Sequence, residues 1–239
     1  MVVILTWRET VNQTLIDLGV ILLAYLLGSV PFGLLIVKIS TGKDIRQVAS
    51  GRTGGTNAMR AAGLWAGIFT AIFDILKGAG AVWLAKYISP DQHWLYVFAP
   101  IAAIIGHNYS VFLPVFDERR RFKGFRGGAG GAPTVGGALG LWPLSLAIIL
   151  PLGALVFFTL GYASITTISV ALFAIIVFAV RAANGFPWTD ALYGVLAELI
   201  LIWALRPNIK NLLAGKERVV GISLHGWLKA RREAQKNSG

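Results

Sequence analysis

An all-α bundle of membrane-spanning helices is the fold that this sequence predicts, and four observations carry the prediction. Hydrophobic residues make up 56% of the chain and charged residues only 14%, against about 25% charged in a soluble domain. Mean hydropathy is +0.68. Apolar runs recur at lengths of roughly 20 residues, enough for a helix to cross the hydrocarbon core of a bilayer. The cations are gathered into the stretches between those runs.

The spans follow in order. Residues 15–39 form the first, interrupted at Gly28-Ser29-Val30-Pro31, where Pro31 has no backbone donor and kinks the helix. Residues 62–86 form the second and 94–113 the third. From 128 to 205 the apolar run is nearly continuous. Breaks at Trp142-Pro143, at Gly161 to Ser164 and at Arg181 to Thr189 divide it into a short fourth span and spans at about 143–160, 163–180 and 190–205. The expected count is seven transmembrane helices, or six if the glycine-rich segment 127–140 is re-entrant or lies at the surface. Residues 1–239 then form a single integral-membrane domain without internal repeats. In the basic tail, Leu224 to Ala234 reads as an amphipathic surface helix with Trp227 on its apolar side, or as a plain solvated tail.

A net charge of +11 raises nucleic acid as a partner. Its distribution points to membrane topology instead, and no nucleic-acid partner is expected. Lys38, Lys43, Arg46, Arg52 and Arg60 follow the first span; Arg119, Arg120, Arg121, Lys123 and Arg126 follow the third; eight more cations run from Arg206 to Lys236. With seven spans these groups share one side, which the positive-inside rule makes the cytoplasm. The N-terminus is then outside and the C-terminus cytoplasmic. Trp65, Trp83, Trp94, Trp142 and Trp188 lie near predicted span ends, as interfacial anchors do. Cysteine is absent, and His93, His107 and His225 lack metal-ligand spacing; neither a metal nor an organic cofactor is expected. No signal peptide is evident, since Met1 to Trp7 is apolar with no basic residue before it.

Three polar stretches beside the spans carry the chemistry. Residues 44–60 combine Gly51, Gly54 and Gly55 with Ser50, Thr53, Thr56, Asn57 and three arginines. Glycine lets backbone amides close on an anion, and arginine binds phosphate bidentately. A nucleotide-type phosphate loop is missing, and a flexible positive-inside connection is the plainer reading of the same residues. The second stretch runs from Gly106-His107-Asn108 through Lys123 and Arg126 to Gly127, Gly128, Gly130 and Gly131. Its bland reading is a histidine bonded to a neighbouring helix and glycines that allow close packing. The third, from Arg206 through Asn208 to Glu217, is a juxtamembrane basic segment. Asp74 and Lys77, three apart within the second span, share one helical face and can neutralise each other.

In this order and spacing the stretches resemble the bacterial acyl-phosphate:glycerol-3-phosphate acyltransferase family, the PlsY type, over nearly the whole chain. Gly28-Ser29-Val30-Pro31-Phe32-Gly33 matches the family's first-span element. Asp44, Arg46, Ser50, Gly51, Gly54, Thr56, Asn57 and Arg60 match its first cytoplasmic motif. Asp74, Lys77 and Gly78 match a D-x-x-K-G element. Gly106, His107, Phe125, Gly127, Gly128 and Gly130 match the second motif, and Arg206, Asn208, Ile209, Leu212, Gly215 and Glu217 the third. The resemblance implies a multi-pass enzyme of the bacterial inner membrane. Its reaction moves a fatty acyl group from acyl phosphate to the 1-hydroxyl of glycerol 3-phosphate. The partners implied are those two substrates and membrane lipid, with the acyl chain in a groove between spans.

Carried onto this chain, Arg46, Ser50, Thr56, Asn57 and Arg60, with the amides from Gly51 and Gly54, hold one head group. Gly127, Gly128 and Gly130, flanked by Lys123 and Arg126, cradle a second phosphate. Arg206, Asn208 and Glu217 close the site from the tail. Candidate catalytic residues are His107, Ser50 and Asn57. The proton acceptor is either His107 or the substrate's own phosphate, the second being how the family is understood to work.

The chain departs from the family at Arg52 (asparagine in the family), Gly55 (alanine), Ser110 (proline), Ala129 (lysine), Leu205 (histidine) and Asn211 (arginine). Positive charge lost at 129 and 205 is restored, on this reading, by Arg126, Lys123 or Arg52. Two other readings stay open: a paralogue that binds lipid phosphate without turnover, supported by Ala129 and Leu205, and a small transporter, which calls for an inverted repeat that the sequence lacks.

Overall fold

The computed structural model describes residues 2–237, with the side chains of residues 11–236. The reading of Met1 to Trp7 rests on side chains outside those described. The chain runs through α1 (Val2–Ser29), α2 (Phe32–Thr41), α3 (Gly55–Ala62), α4 (Leu64–Ile88) and α5 (His93–Asn108). A hairpin, β1 (Pro114–Phe116) and β2 (Phe122–Phe125), leads into α6 (Gly131–Leu141), α7 (Ser145–Leu160), α8 (Ala163–Ala183), α9 (Thr189–Leu213) and α10 (Leu224–Asn237). The molecule is an all-α membrane bundle with one small hairpin on its surface. Among the described residues, four stretches are long and apolar enough to cross a membrane: Val11–Thr41 across α1 and α2, α4, α8 and α9. Helix α7 is apolar but 16 residues long, and α6 has 11 residues, about half of what the hydrocarbon core requires.

The kink expected at Pro31 is a full break between α1 and α2, with Pro31 at φ −88° and ψ 70°. The break frees the Val30 carbonyl, which accepts a hydrogen bond from Lys77 Nζ at 3.0 Å. The same ammonium lies 2.9 Å from Asp74 Oδ1, with both side chains buried. A charge pair inside a span is thus neutralised and also repairs a broken helix.

Glycines set how closely the helices approach. A Cβ on Gly136 of α6 meets the Ile75 carbonyl of α4 at 1.9 Å, and one on Gly78 meets the Pro133 carbonyl at 2.2 Å. At the α1–α5 crossing, Gly28 and Gly106 lie equally tight against the Ala103 and Tyr25 carbonyls. Such backbone-to-backbone contact is how helices associate where lipid removes the hydrophobic gain of pairing. The buried Tyr193 of α9 completes the centre, its hydroxyl donating to the Thr134 carbonyl at 2.7 Å.

Three features differ from expectation. The last six residues of the stretch 44–60 are helical, as the start of α3. The cations at 119–123 decorate the β1–β2 hairpin, whose turn is held by Asp117 accepting from the Arg119 and Arg121 amides at 2.9 and 2.8 Å. Helix α9 continues through Pro207 to Leu213, past the expected end of the last span. Proline in a helix orphans the carbonyl four residues earlier; here that is Trp203, whose carbonyl accepts from Arg206 Nε at 2.9 Å.

Gly136→Leu is expected to cost on the order of 3 kcal/mol through overpacking, read as a lowered melting temperature in detergent. Gly19→Leu, whose added Cβ meets nothing within 4 Å, should leave it unchanged.

Candidate functional site

A cavity of about 1020 Å³ opens where the three polar stretches meet. Its polar wall is built from the 46–60 loop, the 107–131 segment and the end of α9 with the chain to Arg218. Its apolar wall comes from Leu64 and Ile68 of α4, Leu150, Phe157 and Phe158 of α7, and Val170 of α8. Six cations line it (Arg46, Arg52, Arg60, Arg126, Lys216 and Arg218) against two carboxylates, Asp74 and Glu217.

The loop from Asp44 to Gly54 is shaped locally. Asp44 accepts from the Arg46 amide at 2.9 Å and pairs with its guanidinium at 2.6 Å; the side-chain bond raises the Arg46 pKa and lowers that of Asp44. Buried Ile45 plugs into Val37, Ala58 and Ala61. The chain then reverses through Ala49 at φ +44° and Gly51 at φ +68°. Asn57 locks the result: its Nδ2 donates to the carbonyls of Ile45, Val48 and Arg52 at 3.2, 3.0 and 2.8 Å.

Two helices begin at this cavity. Gly54, Gly55 and Thr56 at the start of α3, and Gly130, Gly131 and Ala132 at the start of α6, all line it. Neither helix has a side-chain N-cap. Each therefore presents first-turn amides and the positive end of its dipole. Gly130, at φ +92°, makes the sharp entry into α6.

Arg52 joins the three stretches. Its guanidinium donates to the Gly128 carbonyl at 2.7 Å, to the Ala204 carbonyl at 2.7 Å and to Asn208 Oδ1 at 3.2 Å. Asn208 passes the contact on, its Nδ2 donating to Glu217 Oε1 at 2.9 Å. Burial lowers the Arg52 pKa from the ordinary arginine value, and burial lowers that of Arg60, with Arg218 adding to the effect. Both remain charged, because arginine is not deprotonated in proteins.

The sequence-predicted residues divide as follows. Arg46, Ser50, Gly51, Gly54, Thr56, Asn57, Arg60, His107, Arg126, Gly127, Gly130, Asn208 and Glu217 line the cavity. Gly128 lies beneath the wall: its amide donates to the His107 carbonyl at 2.8 Å, and a Cβ on it would meet His107 Nε2 at 1.9 Å. His107 is held on its other side by Asp74, with Nδ1 3.5 Å from Oδ1. Lys123 and Arg206 are outside the cavity. Lys123 sits on the hairpin, 3.7 Å from Asp117, and Arg206 stacks on the Trp203 ring at 3.2 Å.

Among the cavity residues not placed in the predicted binding set, Arg52 and Asn108 stand out. Arg52 entered the sequence reading as one of three arginines in the first stretch and as a candidate replacement for the charge lost at 129 and 205. Asn108 is buried, and both polar atoms of its amide lack a hydrogen-bond partner, an expensive state for a native group without a ligand. Its only sequence signal was its place after His107.

Comparison with known proteins shows the family and the fold. A family model described as glycerol-3-phosphate acyltransferase matches residues 18–215. The glycerol-3-phosphate acyltransferase of Halalkalibacterium halodurans is 36% identical over 202 residues, covering 83% of this chain and 92% of the relative. One from Thermus thermophilus is 36% identical over 201 residues, covering 84% and 94%. A crystal structure of PlsY (YgiH), an integral membrane glycerol 3-phosphate acyltransferase in its glycerol 3-phosphate form, superposes with a TM-score of 0.71 at 30% identity, covering 86% of this chain and 96% of that one. The lysophosphatidic acid form gives 0.69 at 29%.

Asn57→Ala removes the donor from three loop carbonyls. It is expected to destabilise the protein by about 2 kcal/mol, measured by thermal unfolding, and to open the 44–54 loop to limited proteolysis.

Proposed function

This chain belongs to the glycerol-3-phosphate acyltransferase family, and from that premise we propose that its cavity holds glycerol 3-phosphate beside an acyl phosphate at the inner face of the cell membrane. Transfer of the acyl group to the 1-hydroxyl gives lysophosphatidic acid. The observation that carries this reading is the pair of uncapped helix starts, α3 and α6, facing one cation-rich cavity whose far wall is apolar.

Each helix start takes one phosphate. At α3 the amides of Gly55 and Thr56 act with Ser50, Arg60 and Arg218. At α6 the glycines from 127 to 131 act with Arg52 and Arg126. The apolar wall from α4, α7 and α8 takes the acyl chain. Asn108, with its amide unpaired, takes a hydroxyl of the glycerol.

The acceptor oxygen attacks the acyl carbonyl carbon. The carbon–oxygen bond to phosphate breaks, and the hydroxyl proton passes to a phosphate oxygen of the substrate. Acyl phosphate is already activated, so no protein nucleophile is required. Alignment of two bound substrates supplies much of the acceleration, up to about 7–11 kcal/mol when ideal. Backbone amides stabilise the developing oxyanion. His107, enclosed between Asp74 and Gly128, positions the glycine turn, and Asn57 positions the loop opposite.

For the span count we take the α1–α2 rod and α4 to α9 as seven crossings, with the N-terminus outside and the C-terminus cytoplasmic. The cavity then opens on the side where phosphorylated substrates are found. The grouping of the loop cations supports this.

Purified protein with palmitoyl phosphate should release inorganic phosphate only when glycerol 3-phosphate is added. Retained phosphate binding without release would select a non-catalytic lipid-phosphate binder. Arg52→Gln is expected to lower kcat/KM by about 100-fold, the loss of charge-assisted bonds to a phosphate. Ala129→Lys should raise the rate little, because Arg52 already supplies a cation beside Gly128; a large gain would mean that the site lacks one.

A further inference from the structure

We propose that α10 docks on the anionic surface of the bilayer and thereby holds the tail wall of the active-site cavity in place. The family match ends at residue 215, so this helix lies beyond the part of the chain that the family accounts for. Its position is set at the boundary between two apolar helices. Val220 N–H donates to the Gly161 carbonyl at 2.8 Å, Val219 pairs with Tyr162 across that same α7–α8 connection, and His225 sets its ring edge-on to Tyr162. Helix α10 therefore starts at the level where α7 leaves the bundle and α8 enters it.

Beyond Gly226 every residue to Lys236 is exposed. On a helical projection Leu224, Trp227 and Leu228 form one side, all at least 41% exposed. His225, Lys229, Arg232 and Lys236 form the adjacent side, and Arg231 covers the Trp227 ring at 4.5 Å. Four Lys or Arg against the single Glu233, next to a tryptophan and two leucines, match a surface that is negatively charged outside and apolar just beneath. A soluble protein partner would need a broader apolar face than these three residues offer.

The hinge explains why this contact bears on the site. Lys216, Glu217, Arg218 and Ile222 line the cavity, and they lie between the end of α9 and the start of α10. Buried Ser223, donating to the Val220 carbonyl at 2.7 Å and accepting from Gly226 N–H at 3.0 Å, makes the turn into α10 stiff. Fixing α10 on the lipid therefore fixes the wall that carries Glu217.

The chain contains no cysteine, so the full-length protein bearing one engineered cysteine can be labelled at one site. A fluorophore at Leu228→Cys is read in nanodiscs of phosphatidylcholine alone and in discs rich in phosphatidylglycerol. Acrylamide quenching is expected to fall about threefold with the anionic lipid. It should recover when Lys229, Arg232 and Lys236 are changed to Glu, while a label at Glu233→Cys stays accessible throughout. Equal quenching in both lipids overturns the proposal. Shielding that follows protein density in place of anionic lipid also overturns it, since α10 would then meet a second copy. Amide exchange at Val220 should slow in the anionic discs; unchanged exchange alongside a shielded Leu228 overturns the hold on the cavity. None of these readings requires turnover, so their failure is separable from failure of the acyltransfer reading.

Discussion

The site depends on one buried guanidinium. Arg52 leaves the first polar stretch, bonds the Gly128 carbonyl of the second, and bonds Ala204 and Asn208 of the third. The Thr53 amide also donates to the Gly127 carbonyl at 3.3 Å, tying the first two stretches, while Arg52 brings in the third. The three are separated in sequence and positively charged, so they repel one another. A guanidinium is suited to the role because its planar fork serves several acceptors at once. Taking carbonyls and an amide as partners, with Glu217 reached only through Asn208, also leaves its charge uncancelled by direct ion pairing and available to an anion in the cavity.

The scaffold follows from the same economy of charge. Membrane interiors tolerate few ions, and this bundle uses its buried Asp74–Lys77 pair for more than neutrality. Lys77 caps the carbonyl freed by Pro31, and Asp74 steadies His107, which in turn sits against Gly128. A contact chain thus runs from a broken helix to the glycine turn at the start of α6. The tight glycine crossings of α4 with α6 hold that start at a fixed depth. The start of α6 lines the same cavity as apolar residues of α4, α7 and α8, so uncapped backbone amides and an apolar wall share one space.

Much of the fold was legible in the residues. Hydropathy located the apolar runs, because a span must be apolar wherever it meets lipid, and the boundaries of α4, α7 and α8 fall within a few residues of those expected. Pro31 announced its break. The continuation of α9 through Pro207 was not legible, because it depends on the Arg206 side chain taking an orphaned carbonyl. Nor was the β1–β2 hairpin, whose turn relies on Asp117 gathering the amides of a run that reads as plain positive charge. At the site, most of the residues picked out by motif spacing line the cavity, but Lys123 and Arg206 do not. Both are cations beside glycine or a span, and only their pairing with Asp117 and stacking on Trp203 turn them away.

The sequence by itself determined that the chain lives in a bilayer and that its polar residues fall into three groups, which hold arginine, glycine and hydroxyl or amide residues of the kind that suit phosphate. These are properties of composition and local order, which need no partner distant along the chain. Tertiary structure alone decided which groups face the cavity. Arg52 became the junction, Asn57 and His107 became supports enclosed by their neighbours, and Asn108 was left with an unpaired amide at the wall. Each of those outcomes rests on hydrogen bonds or contacts between segments far apart in sequence, whose formation depends on how the helices cross.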